Sequence, residues 1–372
     1  MNLFWRSYDS YPRIAFVKNI CSDQEPMPEN LPYDEILVIE EGRRSFSSDG
    51  YSSPIRDDEQ PFYDLKTGDI ITIDDRGIVF KAFDSCENEA TVFITGQCNS
   101  NCVMCPASDN ERRFDKGMPE EWMHKFIRYL PEELAHIVVT GGEPTLRKDL
   151  FFDVMSRIAD KYPEIEILLL TNGRSFSSKT MIGKLLEHCP PYLKVAIPIH
   201  AAESGLHDRI TRADGSFLQT VSGIRNLLSV GIGVEIRIVV SRWNCSHLSE
   251  IASFIVSHFS QAQVVNFIGL ETRGNCAKNY KELFAPLEST SPFIIPAIHI
   301  LAQAGIDAAI YNYPLCAVDR RYWNLCKQSI TLGKIRYMPS CDSCEAKTIC
   351  GGFFNTTLSM AKPNVFPIHF RH

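Results

Sequence analysis

The chain has 372 residues, is 44% hydrophobic and 10% aromatic, and carries a net charge of −7. That is apolar material enough for a sizeable core, while the acidic balance gives no general attraction for phosphate backbones, so no nucleic-acid partner is expected. Met1–Tyr11 holds Arg6 and Asp9, and no apolar run reaches the roughly 18 residues of a membrane span, so the thirteen cysteines read as thiols of a reduced, cytoplasmic, metal-loaded chain with no membrane partner.

Residues 1–90 carry short apolar runs at Arg13–Ile20, Asp34–Glu40 and Asp69–Phe83, split by Pro, Ser, Gly and Asp. They predict a small β-rich N-terminal domain. Within it, Ile70–Ile73, the turn Asp74-Asp-Arg-Gly77 and Ile78–Phe80 predict a hairpin, and the polar stretch Ser45–Gln60 predicts a mobile loop. From residue 91 the pattern becomes α/β. Strands are expected at Val92–Thr95, Ile137–Thr140, Ile165–Thr171, Val195–Ile199, Gly233–Val240 and Val264–Ile268. Helices are expected between them at Glu120–Leu130, Arg147–Tyr162, Ser178–His188, Ser216–Val230 and Cys245–Phe259. Six such units predict a parallel sheet curled into a partial (β/α)6 barrel over residues 91–270, with sites at the C-terminal ends of its strands. After about residue 270 the alternation is expected to stop. The C-terminal domain, 271–372, is expected to carry helices at Asn279–Leu287 and Pro292–Gly305, followed by Ala308–Tyr311 and a cysteine-bearing tail.

Cys98, Cys102 and Cys105 spell C-x3-C-x2-C in Gln97-Cys-Asn-Ser-Asn-Cys-Val-Met-Cys-Pro106. Three thiolates are one short of a closed [4Fe–4S] site, which leaves a coordination position open for chemistry. A zinc site is the other reading of the triplet. One β/α unit later, strand Ile137–Thr140 runs into Gly141-Gly-Glu-Pro144. Glycine there permits close backbone approach to a ligand, and Glu143 is able to accept from an ammonium.

Together these two motifs resemble those of the radical S-adenosylmethionine (SAM) superfamily. The resemblance implies a [4Fe–4S] cluster on Cys98, Cys102 and Cys105 as the catalytic centre, with SAM bound to its open iron and its amino group at Gly141, Gly142 and Glu143. An external electron donor is implied as a partner, and a 5′-deoxyadenosyl radical as the product of SAM cleavage. Asn172 closes the third strand at Thr171-Asn-Gly173. His200 stands where the family offers a ribose contact, although a hydrogen-bonded core histidine explains it equally well. His207-Asp-Arg-Ile-Thr-Arg212 followed by Gly215-Ser-Phe217 resembles a segment of peptide-modifying members in which the arginine, here Arg212, meets the SAM carboxylate. A helix cap at Asp214 or Ser216 is the alternative. Arg237, among apolar neighbours on the fifth strand, is a second candidate cation for SAM or substrate.

The tail carries Cys341-Asp-Ser-Cys344, then Cys350-Gly-Gly-Phe-Phe354, with Cys316 upstream. Four cysteines suffice for one closed cluster. They resemble a shortened, SPASM/twitch-like auxiliary-cluster domain, which implies a second [4Fe–4S] cluster; zinc on the same four residues is the alternative, and Cys326 is a substitute for Cys316. Cys21, Cys86, Cys189, Cys245 and Cys276 read as small buried residues. With Leu170-Thr-Asn-Gly-Arg174 and Ile199-His-Ala201, the strings look like the maturase of the bacterial His-Xaa-Ser system. That implies a peptide or small-protein substrate and a paired radical SAM protein as partner. A radical SAM enzyme acting on a small molecule or nucleotide, and a non-catalytic metal protein, are the competing classes.

Overall fold

The computed structural model describes residues 65–73, 78–330, 334–361 and 366–370, together with the segments 3–4, 13–19, 35–40, 43–48 and 51–55. The first ninety residues supply a seven-stranded sheet of β1 (Leu3–Phe4), β2 (Arg13–Asn19), β3 (Glu35–Glu40), β4 (Arg43–Ser48), β5 (Tyr51–Ile55), β6 (Ile70–Ile73) and β7 (Ile78–Phe83), in the order β1-β7-β6-β2-β3-β4-β5. The expected hairpin is present as antiparallel β6 and β7, with Thr72 opposite Phe80; residues 74–77 of its turn lie outside the described residues. Of the expected loop at Ser45–Gln60, residues 45–48 and 51–55 are instead strand, and 49–50 and 56–60 lie outside the described residues. β4 and β5 pair antiparallel from Arg44 opposite Ile55 to Ser48 opposite Tyr51. Serine masked a signal that Asp49-Gly50, a favoured two-residue hairpin dipeptide, carried in plain view.

The second sheet is parallel throughout and has eight strands. These are β8 (Glu89–Phe93), β9 (His136–Thr140), β10 (Glu166–Leu170), β11 (Leu193–Pro198), β12 (Gly233–Val239), β13 (Val264–Ile268), β14 (Asp307–Tyr311) and β15 (Cys326–Lys327), neighbours in chain order. It curls into a half-barrel. The helices are α1 (Asp109–Phe114), α2 (Glu120–Tyr129), α3 (Lys148–Lys161), α4 (Lys179–His188), α5 (Ser204–Thr211), α6 (Ser216–Ser229), α7 (Leu248–His258), α8 (Gly274–Lys278), α9 (Tyr280–Leu283), α10 (Leu287–Gln303) and α11 (Asn355–Ala361). A final ribbon pairs β16 (Ile335–Arg336) with β17 (Phe353–Phe354).

The expected stop near residue 270 is therefore corrected: α10 and β14 continue the β/α rhythm, and β15 closes the sheet's far edge. β14 reads Asp-Ala-Ala-Ile-Tyr, which has one β-branched residue and so little strand signal. Pro292 and Pro296 lie inside α10 rather than at its start, and only Tyr280–Leu283 of the expected Asn279–Leu287 helix forms.

Strand periodicity separates the two faces of the half-barrel. In β12, Val234, Ile236 and Ile238 are fully buried toward the helices, whereas Glu235, Arg237 and Val239 are partly open on the inner face. Helix α3 returns Phe151, Val154, Met155 and Ile158 to the same core. Ile14, Phe16 and Ile70 of the first sheet join that core, and β2 lies beside α2.

Candidate functional site

The cysteine loop leaves the C-terminal end of β8, at the mouth of the half-barrel. Thr95 anchors its base through an Oγ1 bond to the Asp115 carbonyl (3.0 Å). Ser108 and Glu111 cap α1 at its exit. Burial pushes the Cys98 thiol up to about 11 and the Cys102 thiol up to about 12. As bare groups they are held protonated, and a cationic centre bound here would turn them into thiolates.

The Gly141–Glu143 turn packs directly under this loop. Gly142 N–H donates to the Thr95 carbonyl (2.7 Å) and Glu143 N–H to the Gln97 carbonyl (2.8 Å). A Cβ on Gly142 would stand 2.2 Å from the Gly96 carbonyl oxygen. The close approach that demands glycine is thus made by the chain's own cysteine loop. The Glu143 carboxylate is fully buried and accepts from Thr145 N (3.2 Å), Thr145 Oγ1 (2.6 Å), Thr171 Oγ1 (2.8 Å) and Asn172 N (2.7 Å). Burial raises its pKa, and these donors pull the other way. Asn172 continues the network, donating from Nδ2 to Asn99 Oδ1 in the cysteine loop (2.6 Å).

His200 is 2% exposed, and its ring stacks on His207 at 5.7 Å between centroids. Its backbone N–H donates to His207 Nδ1 (3.3 Å), while His200 Nδ1 has no hydrogen-bond partner among the described residues. Burial holds the His200 pKa well below the ordinary value and lowers that of His207 to about 4. Arg212 takes a left-handed conformation (φ 49°) at the end of α5 and donates to Asn279 Oδ1 (3.1 Å). Asn279 in turn donates to the Val103 carbonyl of the cysteine loop (2.9 Å). The cap of α6 differs from either residue anticipated: Gly215 stands at the N-cap, and Asp208 reaches from α5 to accept from Gly215 N (2.8 Å), Ser216 Oγ (2.7 Å) and Phe217 N (2.7 Å). Arg237 faces the barrel interior, where its Nε donates to Glu235 at 2.6 Å.

Three residues that the sequence reading passed over hold the cysteine loop. Arg174 donates to the Asn99 carbonyl (2.7 Å) and Ser100 Oγ (3.1 Å). Arg112, 6% exposed, bonds the Ala107 carbonyl (2.5 Å), Asp109 and Asn275 Oδ1 (2.9 Å). Asn275 grips Asn101, Cys102 and Cys105, and Gly274 before it has φ 56° with the Pro106 carbonyl 2.4 Å from any added Cβ. Only Gly274-Asn275, a turn-like dipeptide after a strand, offered any sequence signal.

A second site lies beyond β14. Cys316, Cys341, Cys344 and Cys350 line one small cavity, of about 20 Å³, with Pro314, Tyr337 and Phe353. Leu315 N and Gly352 N point at Cys350 Sγ (3.4 Å each), and Ile368 N at Cys344 Sγ (3.3 Å). Backbone donors aimed at sulfur suit thiolate ligands. Cys326 is outside this lining, with its sulfur toward the Tyr322 carbonyl (3.8 Å). Of the other cysteines, Cys276 is buried, Cys189 and Cys245 are half-buried, and Cys86 is exposed rather than buried, with Lys66 Nζ 2.9 Å from its sulfur. Cys21 is outside the described residues.

Among the described residues no helix is long and apolar enough to cross a membrane. Residues 92–255 match the Radical SAM superfamily. The chain is 26% identical over 227 residues to the probable GTP 3′,8-cyclase of Pyrobaculum aerophilum, covering 60% of this chain and 69% of that one. It is 28% identical over 166 residues to the mycofactocin maturase MftC of Mycobacterium tuberculosis, covering 43% of this chain and 39% of that one. In fold it is similar to Streptococcus suis SuiB, with a TM-score of 0.50 and 14% identity, over 68% of this chain and 54% of SuiB. The chain thus spans about half the length of SuiB and less than half that of the maturase.

Proposed function

We propose that the chain is a radical SAM enzyme that takes hydrogen from a peptide during its post-translational maturation. The observation that carries this reading is the presence of two separate cysteine sets on one half-barrel: three at the mouth and four in a cavity beyond β14. Cys98, Cys102 and Cys105 would hold a [4Fe–4S] cluster, and Cys316, Cys341, Cys344 and Cys350 an auxiliary one. A tetrahedral zinc at Zn–S of about 2.3 Å needs sulfurs about 3.8 Å apart. Among the described residues only Glu120, His124 and Asp153 bring three donor atoms within 4.8 Å of one another. Neither cysteine set brings three sulfurs that close together among the described residues.

The chemistry that the cluster and SAM supply when bound is one-electron reductive cleavage followed by hydrogen abstraction. The protein's part is to bind, orient and exclude water. Arg212 would take the SAM carboxylate. The ammonium falls to the Gly141–Glu143 turn, whose shape Glu143 sets through Thr145, Thr171 and Asn172. His200, neutral at physiological pH, would border the ribose. The likeness to a mycofactocin maturase supports a peptide substrate, and the short strings described above favour one with His-Xaa-Ser repeats, together with a paired radical SAM protein and an external electron donor.

A nucleotide substrate is the second reading, favoured by the likeness to a GTP 3′,8-cyclase. Anaerobic reconstitution with iron, sulfide, SAM and reductant separates the two. 5′-Deoxyadenosine should rise with a His-Xaa-Ser repeat peptide; a rise with GTP alone would replace the peptide reading by the nucleotide one.

A further inference from the structure

The inner face of β12, β13 and β14 carries a polar cluster, of which only Arg237 was anticipated as a cation for SAM or substrate. Arg237 pairs in register with Asn266, and Asn266 with Ala309; Ile268 pairs with Tyr311. Ile236 and Ile238 lie opposite Val265 and Phe267 on the helix side, all fully buried, so the pleat puts Asn266 and Tyr311 on the same inner face as Glu235 and Arg237.

Asn266 is 2% exposed, and its Oδ1 is buried with no hydrogen-bond partner among the described residues. Such an orphan acceptor costs stability, and in a native structure it marks a place kept for another group. Next to it, Arg237 Nε binds Glu235 Oε1 at 2.6 Å, with side-chain exposures of 27% and 12%. One guanidinium edge is taken, leaving its terminal nitrogens as donors. Tyr311 stands on this same inner face by its register with Ile268, and burial raises the pKa of its hydroxyl, which keeps it a neutral donor.

The charge balance limits what fits. A carboxylate ligand of Arg237 would meet Glu235, and a cation would meet Arg237, so the ligand group is neutral and dipolar. The acceptor at Asn266 wants an N–H, and the donors at Arg237 and Tyr311 want a carbonyl oxygen.

We infer that Glu235, Arg237, Asn266 and Tyr311 form a substrate subsite that binds an amide edge, with one N–H donor beside one carbonyl acceptor. The inference rests on the reading of the half-barrel as a substrate-modifying site. A peptide bond or carboxamide presents this edge, and so does the lactam of guanine. The subsite therefore serves either substrate class, and the test separates them.

The test uses the full chain, reconstituted anaerobically with SAM, and two probes: a fluorescent His-Xaa-Ser repeat peptide read by anisotropy, and GTP read by equilibrium dialysis. Asn266→Leu and Arg237→Met should each weaken the bound probe about tenfold, the worth of one to two lost hydrogen bonds, and Tyr311→Phe by about threefold. If Asn266→Leu fails to fold, the other two variants carry the test. Weakened peptide binding supports both the subsite and the peptide reading. Weakened GTP binding with no peptide binding keeps the subsite and removes the peptide. Wild-type affinity for the peptide in all three variants would overturn the subsite and leave the peptide reading standing. Failure of the unmodified chain to bind either probe would overturn the subsite as well.

Discussion

Asn275 Nδ2 donates to the carbonyl of Cys102 over 3.0 Å, across 173 positions of sequence. The same side chain accepts from Arg112 and donates to Asn101, while its backbone N–H meets the Cys105 carbonyl at 2.9 Å. One residue of α8 therefore sets the spacing of two of the three mouth cysteines. Asn275→Ala should cost about 1–3 kcal/mol by leaving buried partners unpaired. Gly274→Ala should push Pro106 and Ala107 away. Both variants should lower iron uptake at the mouth while the Cys316 cavity still fills, which iron analysis per chain will show. Full iron loading in both would mean that the loop holds its shape without α8.

Replacing Cys98, Cys102 and Cys105 together by alanine should abolish SAM cleavage and leave about four irons per chain, the content of one [4Fe–4S] cluster. Cleavage that survives would end the assignment of the mouth triplet. Cys341→Ala should remove the other set; a triplet variant that carries only zinc would count against an auxiliary cluster.

Arg212 and Arg237 make opposed predictions. Arg212 lies one partner, Asn279, away from the cysteine loop, and Arg237 is neutralised by Glu235. Arg212→Met should weaken SAM binding by roughly ten- to a hundredfold, the worth of one charge-assisted bond, with iron content unchanged. Arg237→Met should leave SAM affinity in place. The reverse pattern in calorimetry would move the carboxylate to β12.

Buried neutral histidines make the fold acid-sensitive. His207 titrates near 4 in the folded chain and His200 well below its ordinary 6.5, so the unfolded chain takes up both protons first. Their contribution is whole above about pH 6.5 and is lost as pH falls toward 4. His207 accounts for roughly 1.5 kcal/mol between pH 6.5 and pH 5 at 1.36 kcal/mol per unit, and His200 acts in the same direction. Anaerobic urea unfolding at the two pH values should show His207→Gln losing less stability than the unmodified chain, by about that amount. An equal loss in both would show that His207 is protonated in the fold.

The β/α core was legible because its strands are runs of Val, Ile and Leu, buried on at least one face, and each site motif follows such a strand. β10 to β13 fall within two residues of expectation for that reason. What escaped is held by long-range pairing. β14 has a single β-branched residue, Ile310, and is fixed by its register with Val264–Ile268. β4 and β5 read as loop because serine hides alternation. At the site, the ligand-type cysteines were visible as spacing, whereas Arg112, Arg174 and Asn275 belong to it only through contacts made after folding. The Asp208 cap of α6 was missed because the cap comes from the preceding helix.

The two cysteine sites sit at the two ends of one hydrogen-bonded ladder: the mouth triplet follows β8, and the second cavity adjoins β14 and β15, where a Cβ on Gly351 would lie 3.1 Å from the Lys327 carbonyl. Eight strands at about 4.8 Å spacing, curled through a half-turn, act as a bent ruler between the two sets of sulfurs. Their separation is thereby a property of strand count and curvature. Loop substitutions will tune each site alone, whereas a residue that changes the sheet's twist will alter both sites' alignment at once.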